Sequence, residues 1–157
     1  MFKSIKDLFV LDVQAARTTA SDPLQKFMFR VTINGMPSSI GFQKVSGLSK
    51  EMGVVEYQEG GYDYAHKLSG RPKVGEVTME RGAFADRSLE ELWKKTLMDS
   101  SARNTIIIEM LDRQGNVSRT YKLAEAWVSK WEGSDLDATS DDVAIEKITV
   151  QHEYFLD

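Results

Sequence analysis

YQEGGYDYAHKLSGRPK (residues 57–73) lies between two stretches with strand character, and its reading decides how the chain is organised. Glycines at 60, 61 and 70, tyrosines at 57, 62 and 64 and charges of both signs leave several roles open: phosphate loop, metal site, nucleic-acid site or contact arm. A phosphate loop needs a glycine-lysine-serine/threonine end that runs into a helix N-terminus. Here Gly70 is followed by Arg71 and Pro72 and then by another strand. A metal site would centre on His66 or His152, yet these are 86 residues apart and no second ligand stands near either at metal spacing. Tyr57, Tyr62 and Tyr64 with Lys67, Arg71 and Lys73 suit base stacking, but Glu56, Glu59 and Asp63 in the same stretch repel phosphates.

What remains is a connection of roughly fifteen residues where about 2–5 is usual. Run out and back, it reaches about 20–25 Å from its sheet. Its tyrosines offer rigid contact area and its charges are ordered, acids first and bases after. Two arrangements fit: the stretch pairs with itself as a hairpin, or it lies along a neighbouring copy. An unsupported arm is an entropic liability, which favours the second. The residues of this arm are Tyr57, Glu59, Gly60, Gly61, Tyr62, Asp63, Tyr64, His66, Lys67, Arg71 and Lys73.

Outward from the arm, LQKFMFRVTING alternates Phe27, Phe29, Val31 and Ile33 with polar or smaller residues, the period of a half-buried strand. SIGFQKVSG, KEMGVVEYQE and VGEVTMERG add strands, RNTIIIEMLD and VSRTYKLAEAWVSKWE an antiparallel pair, and DDVAIEKITVQHEYF the last. In that last strand the apolar phase slips by one between Ile145 and Ile148, which predicts a β-bulge at Glu146-Lys147. RSLEELWKKTLMDS predicts the one helix, about residues 86–99. Ser88 and Glu91 form a capping box and Leu89, Leu92, Trp93 and Leu97 share a face. The expected fold is mainly β: two antiparallel sheets as a sandwich or small barrel, one flanking helix and the long arm.

The chain of 157 residues, 41% hydrophobic and 28% charged, suits one domain. We divide it into an N-terminal arm and linker, 1–21, and a β domain, 22–157. In the arm, Phe2, Ile5 and Phe9 follow helical spacing and predict a docking segment. Asp7 and Asp12 break the apolar run, so neither a secretion signal nor a membrane anchor is expected. The absence of cysteine excludes disulfides, thiolate metal sites and a cysteine nucleophile. A net charge of -4 argues against general nucleic-acid binding.

One acidic run, SDLDATSDDVAIE, places Asp135, Asp137, Thr139, Asp141 and Glu146 at the oxygen-ligand positions of a calcium loop. Ser140 stands where that loop needs glycine and no helices flank it, so turn-capping is the plainer reading. No motif organises the carboxylates for hydrolysis, and no cofactor is expected. Two other functional classes stay in view: a monomeric sandwich that binds carbohydrate through Trp127, Trp131 and the arm tyrosines, and a small carboxylate-dependent hydrolase.

The ordered series DPLQKFMFRVTING, GFQKVSGLSKEM, VEYQEGG, HKLSGRPKVGEVTMERG and AEAWVSKWEGSDLDATSDDVAIEKITVQHE resembles the tail tube proteins of contractile-tailed phages. It resembles equally the inner tube proteins of phage-tail-like contractile injection systems. The resemblance covers about Asp22 to Phe155. Ser69 and Val128 depart from it, each standing where proline is expected. It implies a non-enzymatic subunit whose six-membered rings join their sheets into an inner barrel and stack into a rigid hollow tube. It further implies a contractile sheath, a baseplate or spike, and tape-measure or cargo proteins as partners, with DNA only a passenger of the lumen. Assembly is expected in the bacterial cytoplasm, and the product is part of a virion tail or a released or cell-associated injection particle. Residues 57–73 map to the loop that joins subunits and rings. A ring of six carries about -24, a charge suited to a lumen that lets acidic cargo slide.

Overall fold

The computed structural model of the protein describes residues 23–37 and 40–156. Among the described residues nine strands and one helix follow one another: β1 (Phe29–Ile33), β2 (Lys44–Ser46), β3 (Lys50–Tyr57), β4 (His66–Val74), β5 (Val77–Gly82), α1 (Ser88–Met98), β6 (Asn104–Leu111), β7 (Val117–Glu132), β8 (Ile145–Gln151) and β9 (Tyr154–Leu156). Seven strands form one antiparallel sheet in the order β1-β6-β7-β8-β5-β2, with β9 also on β7. The remaining two, β3 and β4, form a sheet of their own. The fold is therefore mainly β with two antiparallel sheets and one helix, as expected. The large sheet is not closed into a barrel, and the second sheet is the arm itself.

β7 is the spine. It pairs with β6 over residues 117–126, with β9 over 122–124 and with β8 over 127–132. To serve both halves it must turn its side chains partway. Asn104 faces Ala126 while Ile106 faces Leu123, so β7 holds one residue more than β6 between these pairs. Within that interval Glu125 takes the left-handed conformation, φ 52°. This is a β-bulge, and it shifts the buried set from Leu123 to Ala124, Ala126 and Val128. A second irregularity follows between Val128 and Lys130.

The bulge expected at Glu146-Lys147 is absent. β8 pairs with β5 in unbroken register from Ile145 to Val150, and Glu146, Ile148 and Val150 all face the core. The apparent slip comes from Ile145, which lies on the other face of the strand from Ile148 and is only half-buried. The buried position beside it is filled by a carboxylate, Glu146.

That carboxylate is paired. Glu146 lies opposite Arg81 across β5 and β8, with Arg81 Nε donating to Glu146 Oε1 at 2.5 Å. Trp131 Nε1 donates to the other oxygen at 3.3 Å. The guanidinium reaches on to Asp86, 3.3 Å away, and to the Ser88 hydroxyl at 3.0 Å. Arg81 and Glu146 are 2% and 5% exposed, so the pair is tolerable only because its hydrogen bonds are made. This network ties β5, β7, β8 and the start of α1 together.

It also displaces the capping box. Ser88 is the first helical residue, its hydroxyl donates to Asp86, and no side chain caps the helix. The Ser88 hydrogen bond, and after it the Arg81 charge, hold the Asp86 carboxyl below its ordinary pKa. Leu89 and Leu92 bury against the sheet and Trp93 packs beside them, but Leu97 is exposed. The core joins these leucines to Val31, Ile33, Val77, Met79, Ile106, Ile108, Leu123 and the buried residues of β8.

Candidate functional site

The stretch 57–73 is a strand and a tip, not a structureless connection. β4 pairs antiparallel with β3 from Lys50-Val74 to Tyr57-His66, so only residues 58–65 form the turn. Sequence reasoning missed β4 because Gly70 and Pro72 interrupt it and its apolar residues do not alternate. Of the two arrangements open to the arm, pairing with itself is realised within the chain.

The pairing explains the glycines and charges. One residue lies between Met52 and Val54, while two lie between their partners Pro72 and Ser69, so β4 carries a bulge at Gly70-Arg71. There the backbones nearly touch: a Cβ on Gly70 would stand 3.0 Å from the Gly53 carbonyl oxygen, and one on Gly53 3.2 Å from that of Arg71. Gly70 thus serves a close approach rather than a turn. Glu51 faces Lys73 and Glu56 faces Lys67, so part of the ordered charge sets register inside the arm. At the tip Gly61 has φ 93°, and the Tyr62 amide donates to the Glu59 carbonyl. His66 stands 4.0 Å from the Glu59 carboxylate and meets the Tyr62 ring edge-on at 5.7 Å.

The base of the arm is fixed. Gly47 has φ 87°, and a side chain there would collide with the Glu76 carbonyl. Gly75 donates to the Ser49 carbonyl at 3.2 Å and likewise has no room for a Cβ. Beyond this base the hairpin hydrogen-bonds to no other strand. It leaves both faces apolar and open: Met52 and Val54 on one, Val55, Tyr57 and Leu68 on the other, each more than half exposed. Two-stranded hairpins are marginal without a surface to cover them, and an apolar patch of this kind marks a contact surface.

The other candidate residues are not brought together. Glu146 points into the core at Arg81, away from the acidic loop that holds Asp135, Asp137, Thr139 and Asp141. Asp137 instead accepts from the Thr139 amide and hydroxyl, which lowers its pKa. Among the described residues no three acidic or histidine side chains converge in a way that holds a metal. Trp131 packs on the core, and Trp127 lies under the Arg103 guanidinium at 5.6 Å, so neither is an open stacking platform with the arm tyrosines. His152 is buried edge-on against Phe155, 4.8 Å between ring centres, with no hydrogen-bond partner on either nitrogen among the described residues. Burial lowers its pKa. Phe2, Ile5 and Phe9 lie outside the described residues. Among those described, no helix is long and apolar enough to cross a membrane.

An open β-sheet, a flanking helix and a projecting hairpin recur in solved structures. A chain of the PVC sheath–tube complex of an extracellular contractile injection system, in its extended state, superposes with a TM-score of 0.80 at 22% identity. The match covers 90% of this chain and 95% of that one. A chain of the anti-feeding prophage baseplate matches with a TM-score of 0.75 and 26% identity, over 87% and 95% of the two chains. A third, from the PVC sheath/tube terminator, gives 0.77 and 23% over 86% and 96%. The fold is that of the contractile-injection-system tube proteins. No curated protein matches the chain significantly. The family model of the T4-like virus tail tube protein gp19 matches residues 25–156, and the chain belongs to that family.

Proposed function

We propose that the chain is the repeating subunit of a hollow inner tube, built from stacked homohexameric rings within a contractile sheath and carrying DNA or protein cargo. The observation that carries this reading is the hairpin β3–β4. It is rooted in the domain, pairs with no other strand among the described residues and exposes apolar side chains on both faces. A second feature supports it: among the described residues the large sheet ends in two strands, β1 and β2, each paired on one side only. Open edges invite pairing, and six sheets joined side by side remove them. Stacking is a heterologous contact that does not close, so it propagates as a filament.

By analogy with the sheath–tube, baseplate and cap or terminator complexes that hold the similar chains, a sheath and a baseplate are the other partners. Residues 57–73 act as the subunit-joining arm, residues 1–21 as a docking segment, and no step of catalysis is assigned. Assembly takes place in the cytoplasm of the producing cell.

Negative-stain microscopy of the purified protein tests the reading. Rings or tubes about one subunit thick at the wall are expected. Replacing residues 60–70 by a short turn should leave a folded monomer and abolish both. Monodisperse single domains at high concentration, or tubes that survive the replacement, overturn it.

A further inference from the structure

Beside the root of the arm lies a groove of about 540 Å³, walled by the Leu48–Lys50 segment, by β7 and by β9. Its floor is aromatic, Tyr121 and Phe155, with ring centres 6.5 Å apart. Its described lining residues carry three cations, Lys50, Arg119 and Lys122, and no acid. Lys50 Nζ sits 4.9 Å above the Phe155 ring and the Arg119 guanidinium 5.0 Å above Tyr121. Among the described residues no carboxylate lies within ion-pair distance of Arg119 or Lys122.

The arm tip has the opposite character. Residues 58–65 contain Glu59 and Asp63, no lysine or arginine, and two tyrosines, Tyr62 and Tyr64, exposed by 60% and 82%. The tip cannot fold back into its own groove, because eight residues of paired strand hold it about 26 Å from the root. We propose that this groove receives the arm tip of another copy of the chain, with Glu59 and Asp63 against Arg119 and Lys122 and the tip tyrosines over Tyr121 and Phe155. The inference rests on the tube reading and names the surface the arm grips. A tip-to-root contact is heterologous and relates successive copies by roughly the arm's length, so it propagates from copy to copy. Aromatic contacts of this kind anchor an interface and opposite charges fix its register.

The chain has no cysteine, which makes crosslinking unambiguous. Asp63→Cys combined with Lys122→Cys should give a ladder of disulfide-linked oligomers from assembled protein under oxidation, and each single variant none beyond a dimer. In parallel, Arg119→Glu with Lys122→Glu should raise the concentration needed for assembly by at least about tenfold at low salt. Adding Glu59→Lys and Asp63→Lys to that variant should restore it. Circular dichroism checks that each variant is folded. Absence of the ladder from wild-type-like tubes, or assembly unaffected by the double reversal, overturns the groove while leaving the tube reading intact. Failure of the fourfold variant to recover overturns the pairing of these charges. Wild-type protein that never assembles overturns both.

Discussion

The Arg81–Glu146 pair is the most exacting test of the fold. Both side chains are almost fully buried, and their hydrogen bonds join β5, β7, β8 and the start of α1. Glu146→Leu removes the buried carboxylate, leaves the guanidinium only the half-exposed Asp86 and the Ser88 hydroxyl, and takes the acceptor from the Trp131 indole. Removing one partner of a buried pair costs about 3–5 kcal/mol. For a domain of this size each kcal/mol is about 2–4 °C, so the melting temperature should fall by about 6–20 °C. The paired replacement Arg81→Met with Glu146→Leu trades the ions for apolar volume and should recover most of that loss, because no charge is left unpaired. The assay is thermal unfolding followed by tryptophan fluorescence, at a concentration where every variant is monomeric. A single Glu146→Leu variant that melts within about 3 °C of wild type, a shift of no more than about 1 kcal/mol, would refute the reasoning. It would mean that water or backbone motion screens the guanidinium and that the site is not the dry core described above.

Gly47→Ala should destabilise the root of the arm by about 2 kcal/mol or more, since φ is 87° and a Cβ strikes the Glu76 carbonyl; equal melting temperatures would count against the rigid root. The pH dependence of stability should carry a His152 component. Burial lowers its pKa in the folded chain, so the unfolded chain takes up the proton first. Stability is then full above the ordinary histidine value of about 6.5 and declines as pH falls below it. His152→Leu should flatten the curve between about pH 7 and 5.5, and an unchanged slope in urea titrations rejects the assignment. Reversing Arg71 and Lys73 to glutamate should weaken assembly most at low salt, as turbidity or microscopy against ionic strength would reveal; wild-type assembly at both salt extremes contradicts it.

Much of the fold was legible in local pattern. The alternation in Val31–Ile33 and the apolar stripe of Leu89, Leu92 and Trp93 report burial directly, because strands and helices repeat side-chain direction at fixed periods. The ordered series of segments carried the family, and the length of 57–73 marked it as something other than a turn. The candidate site was legible as a region but not as a shape. β4 was hidden because its pairing depends on a bulge at Gly70-Arg71, and a bulge is a property of two strands together.

Where sequence pattern failed, the missing information was long-range. The phase slip read at Glu146-Lys147 is a regular strand, since the buried carboxylate is made acceptable by Arg81, 65 residues earlier. The real bulge is at Glu125, where β7 must serve β6 and β9 on one stretch and β8 on the next. Ser88 followed the same logic: its hydroxyl meets Asp86 and Arg81, which a helix-capping motif cannot foresee. The sequence alone determined the element types, the helix at Ser88–Met98 and the existence of an arm, because these follow from chain-local periodicity and turn chemistry. Only the tertiary structure decided which face of β8 is buried, that the arm pairs with itself, and that apolar side chains stand exposed on both its faces beside a basic groove at its root. Those depend on which distant residues meet, and burial energies act on the meeting rather than on the segment.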